Sequence, residues 1–325
     1  MRSPSQAAAP RAAAPRSPFA DLPLLAVAVV WGSSFLAVKH LASATTVVPM
    51  LVLRFGVVLP LLGGFAWRGL RGLGAAQWRG GAVLGGILGG IFLLESYGVV
   101  HTSATNAGLI ISLTMILTPL AESVVTRTAI PRAFVGAAAL SLLGVGLLTE
   151  GSGLRAPSLG DLLVLGAAVL RTVHVLAMSR SRALRGVDSL ALTWVQLAAA
   201  TVVFVLASPF GGPAPWRVAA GWGPGQWALL LYLALFCTLF AFFVQMWAVR
   251  ATSPSRVSLL LGTEPLWAAV FGMALGGDRL SVLALCGGVL VLLGTEAGRR
   301  AVLPSQAAAA PAAEADLPEP EPASL

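Results

Sequence analysis

Charged residues are scarce in this sequence. Asp, Glu, Lys and Arg make up 10% of its 325 residues, whereas 57% are hydrophobic. A soluble globular chain carries about 25% charged residues, so this chain has too little charge to solvate a surface of its length. The composition therefore excludes a soluble globular protein and predicts an all-α integral membrane protein.

Cysteine and lysine are also nearly absent. The two cysteines, Cys237 and Cys286, lie inside apolar runs, and the three histidines are isolated, so neither a disulfide framework nor a metal site is expected. Lys39 is the single lysine, and the other 20 basic residues are arginines scattered between apolar runs. A nucleic-acid protein would gather them on one face, so we predict no nucleic-acid partner, and no cofactor either.

Long apolar runs fill the chain instead. A spanning helix needs ~20 mostly apolar residues. Ten such runs are predicted, at about 22–40, 47–67, 79–99, 104–125, 132–148, 160–179, 189–208, 226–248, 254–276 and 279–297. Residues 1–21, rich in Ala, Pro and Arg, and residues 302–325, rich in Ala and Pro and then acidic, are predicted to be disordered tails because they offer little to bury.

The arginines predict the orientation. With a cytoplasmic N-terminus, inside segments carry 15 of the 21 basic residues and outside segments carry 4. This bias follows the positive-inside rule, so we expect a multi-pass protein of the cell membrane with both termini in the cytoplasm.

The sequence repeats itself. The stretch ESYGVVHTSATN at 95–106 matches QMWAVRATSPSR, which begins 150 residues later, and TPL at 118–120 matches EPL at 264–266. We therefore predict two five-helix repeats, residues 22–148 and 160–297. Five is odd, so the second repeat is inverted relative to the first, which is the architecture of alternating-access transporters.

The stretch WGSSFLAVK at 31–39 carries the first candidate site residues. Trp31 lies about 13 Å from the inner end of its span, near the midplane. Trp31 and Ser34 either line a pocket or serve tight helix packing. Lys39, at the outer interface, either snorkels to lipid headgroups or acts as a gate at the entrance of the pathway.

Ionisable residues inside the membrane are costly and form the second candidate set. Depth predicts two ion pairs, Arg54 with Glu95 and Arg171 with Glu264, each serving either structure or the binding and coupling of substrate. His174 is three residues from Arg171 on the same helix face. Pro119 and Pro265 are predicted to kink their helices because proline removes a backbone donor.

With these motifs assembled, the sequence resembles the EamA-type ten-helix transporters of the drug/metabolite transporter superfamily. The resemblance rests on these stretches of the sequence: WGSSFLAVK, LRF at 53–55, ESYGVVHTSATNAG at 95–108, TSPSR at 252–256 and EPLWAAVFGMALGGDRLS at 264–281. It implies export, or in some members import, of small metabolites or drugs. The chain departs from the family in two places, with Arg171 where an aromatic residue is usual and Glu95 where glutamine is common.

We therefore predict a secondary-active transporter that exports an amino-acid-like metabolite or a drug, and not an enzyme. Its expected partners are a small-molecule substrate and membrane lipid, with a proton as candidate coupling ion and a homodimer as candidate assembly. Two alternatives remain: a channel, and an intramembrane serine hydrolase in which Ser34 of GSSF would need His174 as its base.

Overall fold

A computed structural model describes residues 22–127, 129–149, 157–251, 260–278 and 281–315 of the chain. The predicted N-terminal tail, 1–21, and residues 316–325 of the C-terminal tail lie outside these ranges. The described residues form helices and turns, with no strand among them.

The first repeat contains six helices. They are α1 (Leu22–Leu41), α2 (Val47–Arg71), α3 (Ala75–His101), α4 (Ala104–Ile111), α5 (Thr114–Thr126) and α6 (Arg132–Thr149). The fourth predicted span is thus divided into α4 and α5, which are separated by a turn at Ser112 and Leu113.

The second repeat begins with α7 (Leu159–Arg180) and α8 (Ser189–Ala207), each started by a side-chain cap, Ser158 for α7 and Asp188 for α8. A short helix, α9 (Pro215–Ala220), precedes the eighth span. That span consists of α10 (Pro224–Leu231), a π-helical segment (Tyr232–Phe240) and α11 (Ala241–Ala251). Helices α12 (Glu264–Ala274) and α13 (Val282–Ala315) complete the chain.

The prediction of an all-α multi-pass membrane protein is confirmed. Seven helical stretches are long and apolar enough to cross a membrane, and two shorter apolar ones cover parts of the fifth and tenth predicted spans. The ninth span is described only in part, because residues 252–259 lie outside the described ranges. The count of ten therefore remains a prediction at that span.

Contacts between the repeats are reciprocal. Span one packs on span nine (α1 on α12), and span six packs on span four (α7 on α4 and α5). Span three packs on spans six and seven, and spans one and two pack on span eight. Spans five and ten pair with each other. Exchanging the two repeats reproduces this pattern, as expected for two inverted repeats that enclose a common centre.

The structure corrects the predicted C-terminal boundary. Helix α13 continues to Ala315, whereas disorder was predicted from residue 302 onward. The stretch QAAAA that follows Ser305 is rich in alanine, the strongest helix former. A helix already started in the tenth span can extend through such residues without a costly new nucleation step.

The two prolines predicted to kink their helices differ in position. Pro119 lies inside α5, as the prediction required. Pro265 lies in the first turn of α12, where its missing N–H has no helical partner to lose. The chain instead breaks before it, at Gly262 and Thr263. Pro265 therefore helps to start a helix rather than to kink one.

Candidate functional site

A cavity of about 260 Å³ lies where the two repeats meet. Helices α1, α2 and α3 line it from the first repeat, and α7, the eighth span and α12 line it from the second. All seven residues that the sequence proposed for the substrate or coupling site border it: Trp31, Ser34, Arg54, Glu95, Arg171, His174 and Glu264.

Arg171 forms an ion pair in the cavity. Its Nη2 lies 2.6 Å from Oε2 of Glu95, and the pair joins α7 to α3. The predicted pairing of Arg171 with Glu264 and of Arg54 with Glu95 is therefore wrong. Depth alone misled the prediction: α7 packs directly on α3, and the long arginine side chain reaches Glu95 along that contact.

Arg54 is buried and has no carboxylate within 4.0 Å among the described residues. Its Nε and Nη2 donate to the Thr238 hydroxyl at 3.3 and 2.9 Å. Its guanidinium carbon lies 5.4 Å from the ring centre of Phe55 and 5.6 Å from that of Phe92, within cation–π range. These contacts are neutral, so no carboxylate of the described residues touches Arg54 directly.

Glu264 is the first residue of α12 and is half-buried at the cavity. No hydrogen bond or ion pair between its carboxylate and another described residue is present. A negative charge in the first turn of a helix is favoured by the helix dipole, which explains how this carboxylate can be held at mid-depth. The cavity thus presents a cation and an acid that are both available to a bound molecule.

The π-helical segment (Tyr232–Phe240) packs against α1 and contributes Cys237 and Thr238 to the cavity wall. Trp31 Nε1 donates to the backbone oxygen of Cys237 at 2.9 Å, and the Thr238 hydroxyl donates to the Leu233 carbonyl five residues earlier. Wide turns of this kind are frequent at functional sites. Here the segment places one oxygen against Trp31 and another against Arg54.

Ser34 and His174 are bonded to different partners. The Ser34 hydroxyl donates to the Trp31 carbonyl at 2.7 Å, within its own helix. His174 Nε2 lies 2.7 Å from Oε1 of the buried Gln196, so this imidazole nitrogen donates to an amide oxygen. A nucleophile needs its base within hydrogen-bond reach. This arrangement gives no support to a Ser34–His174 catalytic pair.

Lys39 takes part in a polar cluster near the end of the cavity that is lined by the preceding residue, Val38. Its Nζ donates to the Thr102 carbonyl at 2.7 Å and lies 4.0 Å from Oδ1 of Asp278. Oδ2 of Asp278 accepts from the Thr105 backbone N–H and hydroxyl, and the Thr102 hydroxyl donates to Asp161. We call Lys39, Thr102, Thr105, Asp161 and Asp278 the end clamp. It ties both repeats together beside this end of the cavity.

Several of these residues escaped the sequence reasoning. Thr238, Gln196 and the Cys237 carbonyl contact predicted site residues, but threonine, glutamine and a backbone oxygen are too common in helices to stand out. Asp161 and Asp278 were visible as acids at span ends. Only the fold shows that they belong to one cluster with Lys39.

A bundle of membrane-spanning helices in two reciprocal halves around a charged central cavity is the architecture of a membrane transporter. The model of the EamA-like transporter family matches residues 18–149 and, separately, residues 158–295. The chain therefore belongs to the EamA-like transporter family, and it is a multi-pass membrane transporter.

Individual relatives agree with this assignment. Two proteins of Archaeoglobus fulgidus, each named "Uncharacterized transporter", are 26% and 27% identical to this chain. The first alignment covers 85% of this chain and 84% of the relative, and the second covers 82% and 92%. A solved structure, "Crystal structure of protein", aligns with a TM-score of 0.57 at 18% identity, over 90% of this chain and 99% of that one. This last likeness shows a shared fold.

Proposed function

We propose that the protein is a secondary-active transporter of the cell membrane that exports a small amino-acid-like metabolite by alternating access. One observation carries the proposal: in the described part of the cavity, neither Arg54 nor Glu264 forms a direct ion pair. A zwitterion supplies what each of them lacks. The carboxylate of the substrate would bind Arg54, and its ammonium group would bind Glu264.

The chemistry of the two groups supports this orientation. The planar guanidinium of Arg54 offers paired donors that match a carboxylate, and a charge-assisted hydrogen bond is roughly twice as strong as a neutral one. The Arg171–Glu95 pair is already neutralised internally. This ion pair would form part of the wall of the site without adding net charge.

The size of the cavity favours a metabolite over a drug. Pockets for drug-sized ligands measure about 300–1,000 Å³, whereas this cavity measures about 260 Å³. An amino acid with a modest side chain fits such a volume better than a large amphipathic molecule does.

Two features of the structure are candidates for the moving parts of alternating access, namely the end clamp and the paired helix breaks. The end clamp would close one end of the pathway while the other opens. The paired helix breaks, at residues 112–113 in the first repeat and 262–263 in the second, would let half-helices move during the exchange. The arginine bias supports cytoplasmic termini, which puts the end clamp on the outer side. A coupling proton would be carried by Glu264.

Ligand analogues test the site on purified protein. Isothermal titration should show binding of the zwitterionic amino acid and at least tenfold weaker binding of its amide, which lacks the carboxylate, and of its N-acetyl form, which lacks the ammonium. Arg54→Gln should remove the discrimination against the amide, and Glu264→Gln should remove the discrimination against the N-acetyl form. Arg300→Gln, at an exposed pair with Glu296 outside the cavity, is the matched control.

Equal binding of all three molecules would overturn the zwitterion assignment. The direction of transport needs a second measurement, metabolite profiling of medium and cytosol with and without overexpression. Export predicts that an amino-acid-like compound accumulates in the medium and that the Arg54→Gln variant abolishes this accumulation. Accumulation in the cytosol instead would contradict export.

A further inference from the structure

An apolar groove lies on the lipid-facing side of the bundle, away from the central cavity. It is about 440 Å³ in volume and runs along the last turns of α2 between the starts of α3 and α8. Its lining is almost entirely apolar and aromatic, with tryptophans from three helices, Trp67, Trp78 and Trp194. We call it the tryptophan groove, and it takes no part in the proposed transport function.

The floor of the tryptophan groove is rigidly built. Nε1 of Trp194 donates to the Leu59 carbonyl at 2.9 Å, and its ring meets that of Trp78 edge to face at 6.3 Å. Gly63 permits this approach, because a Cβ at Gly63 would lie 2.9 Å from Trp194 Nε1. The only polar atom of the indole is thereby satisfied, so the groove offers its occupant an apolar surface.

The length of the groove matches one leaflet of a membrane. Leu59 and Arg71, at its two ends, are twelve residues apart on one helix, or about 18 Å. Half of the ~30 Å hydrocarbon core of a bilayer is about 15 Å. Trp67, under Arg71, and Trp78, in the first turn of α3, lie toward the Arg71 end, at the depth where aromatic residues gather at membrane interfaces, whereas Trp194 reaches the Leu59 end.

The mouth of the groove is positively charged. The guanidinium of Arg71 lies 4.5 Å over the ring of Trp67, and Arg68 is in the same last turn of α2. The same end of the bundle also carries exposed arginines at positions 79, 180, 182 and 185. The nearby acid is Asp188, close to Gly69, and its Oδ1 accepts the Ala191 N–H as the cap of α8.

We propose that the tryptophan groove binds one anionic phospholipid. An acyl chain lies along Leu59, Pro60 and Gly63, and the headgroup phosphate is held by Arg71. Charge complementarity selects this occupant, because a lipid with no net charge gains less from the guanidinium of Arg71, the arginine that lines the groove. A basic residue near an anionic lipid surface contributes about 1 kcal/mol, which corresponds to about a fivefold preference for each arginine engaged.

Native mass spectrometry of the detergent-purified protein tests the proposal. Phosphatidylglycerol and phosphatidylcholine with identical acyl chains are titrated at equal concentrations. The unmodified protein should bind its first phosphatidylglycerol at least fivefold more tightly. Arg71→Gln should bring the two lipids to within about twofold, and Arg180→Gln, an exposed arginine outside the groove, should leave the preference unchanged. Leu70→Trp, which fills the groove, should weaken binding of both lipids.

Three results would overturn the proposal. Equal binding of the two lipids by the unmodified protein would exclude a headgroup site. Equal losses in Arg71→Gln and Arg180→Gln would leave only general attraction to the basic end. A dimer whose mass peak is lost in Leu70→Trp would assign the groove to a second copy of the chain. Arg71→Gln changes one exposed side chain, so the test stands even where Leu70→Trp fails to fold.

Discussion

Trp31 and Arg171 occupy equivalent positions in the two repeats, 140 residues apart on the first helix of each. Each reaches the third span of the other repeat. Trp31 donates to the Cys237 carbonyl on span eight, and Arg171 donates to Glu95 on span three. The geometry is shared, but one contact is a neutral hydrogen bond and the other is an ion pair.

A second pair of positions differs in the same manner. The helices that follow the breaks in spans four and nine begin at Thr114 and Glu264, which are 150 residues apart. The Thr114 hydroxyl donates back to the Ile111 carbonyl of its own repeat. Glu264 instead faces the shared cavity.

The comparison teaches that the repeats share a scaffold and divide the chemistry. Backbone positions follow from the reciprocal packing of like helices. The charge at two equivalent positions can differ, because the two repeats of one chain carry their own residues there. The asymmetry of the cavity is therefore carried by a few side chains, and substitution at equivalent positions can test it.

Of the substitutions that test this comparison, removal of the Arg171 charge should have the largest effect on stability. Arg171→Leu leaves Glu95 unpaired, so we expect the free energy of unfolding to fall by about 2–3 kcal/mol, less than for a fully buried pair because 35% of the arginine side chain is exposed. The double change Arg171→Leu with Glu95→Leu should recover most of this loss. Chemical denaturation in detergent measures both. A double variant no more stable than the single would contradict the pairing.

The packing beside Trp31 should be the next most sensitive feature. A Cβ at Gly32 would lie 2.6 Å from Trp267 Cβ and 2.7 Å from the backbone nitrogen of Ala268. Gly32→Val should therefore push α1 from α12 and cost about 2 kcal/mol. The equivalent residue is Thr172, whose hydroxyl bonds to the Ala168 carbonyl in its own helix. Thr172→Val should cost less than about 1 kcal/mol in the same denaturation assay; equal losses would refute the difference.

Trp31→Phe tests the neutral hydrogen bond between Trp31 and the Cys237 carbonyl separately from the packing of the ring. The ring is retained while the donor to the Cys237 carbonyl is lost, so stability should fall by about 1 kcal/mol. Transport should fall as well, since the π-helical segment loses one of its hydrogen bonds to α1 and keeps only those of Tyr232 with Ser33 and of Cys237 with Val30 among the described contacts. Trp247→Phe, at an exposed tryptophan of α11, is the control. If both variants melt and transport alike, the hydrogen bond contributes nothing measurable.

Lys39→Met should have the smallest effect on stability, because its Nζ lies 4.0 Å from Asp278 rather than in close contact, and Asp278 keeps its two hydrogen bonds from Thr105. It weakens the end clamp, so a cysteine placed at Val38 should react about threefold faster with a thiol reagent. The background carries Cys286→Ser, since Cys286 is exposed. His40→Gln, at the exposed neighbour, should not change the rate. An unchanged rate in Lys39→Met would show that the end clamp does not control access.

The amino-acid sequence by itself determined the class of the protein. Low charge and long apolar runs require a membrane, because so little charge cannot solvate this length of chain. The internal repeat predicted the two-halved architecture, and five predicted spans in each half led us to expect that the second half is inverted. Rise per residue was enough to bring Trp31, Arg171 and Glu264 to a common depth, and all three border the cavity.

Only the tertiary structure decided which of these residues meet. Depth is one coordinate, whereas an ion pair also requires neighbouring helices and side chains turned toward each other. The choice of Glu95 as partner of Arg171 follows from the packing of α7 on α3. The π-helical segment, which Trp31 and Arg54 contact, is likewise visible only in the structure. Composition and spacing act locally along the chain, but partners separated by 76 to 206 residues are chosen by the fold.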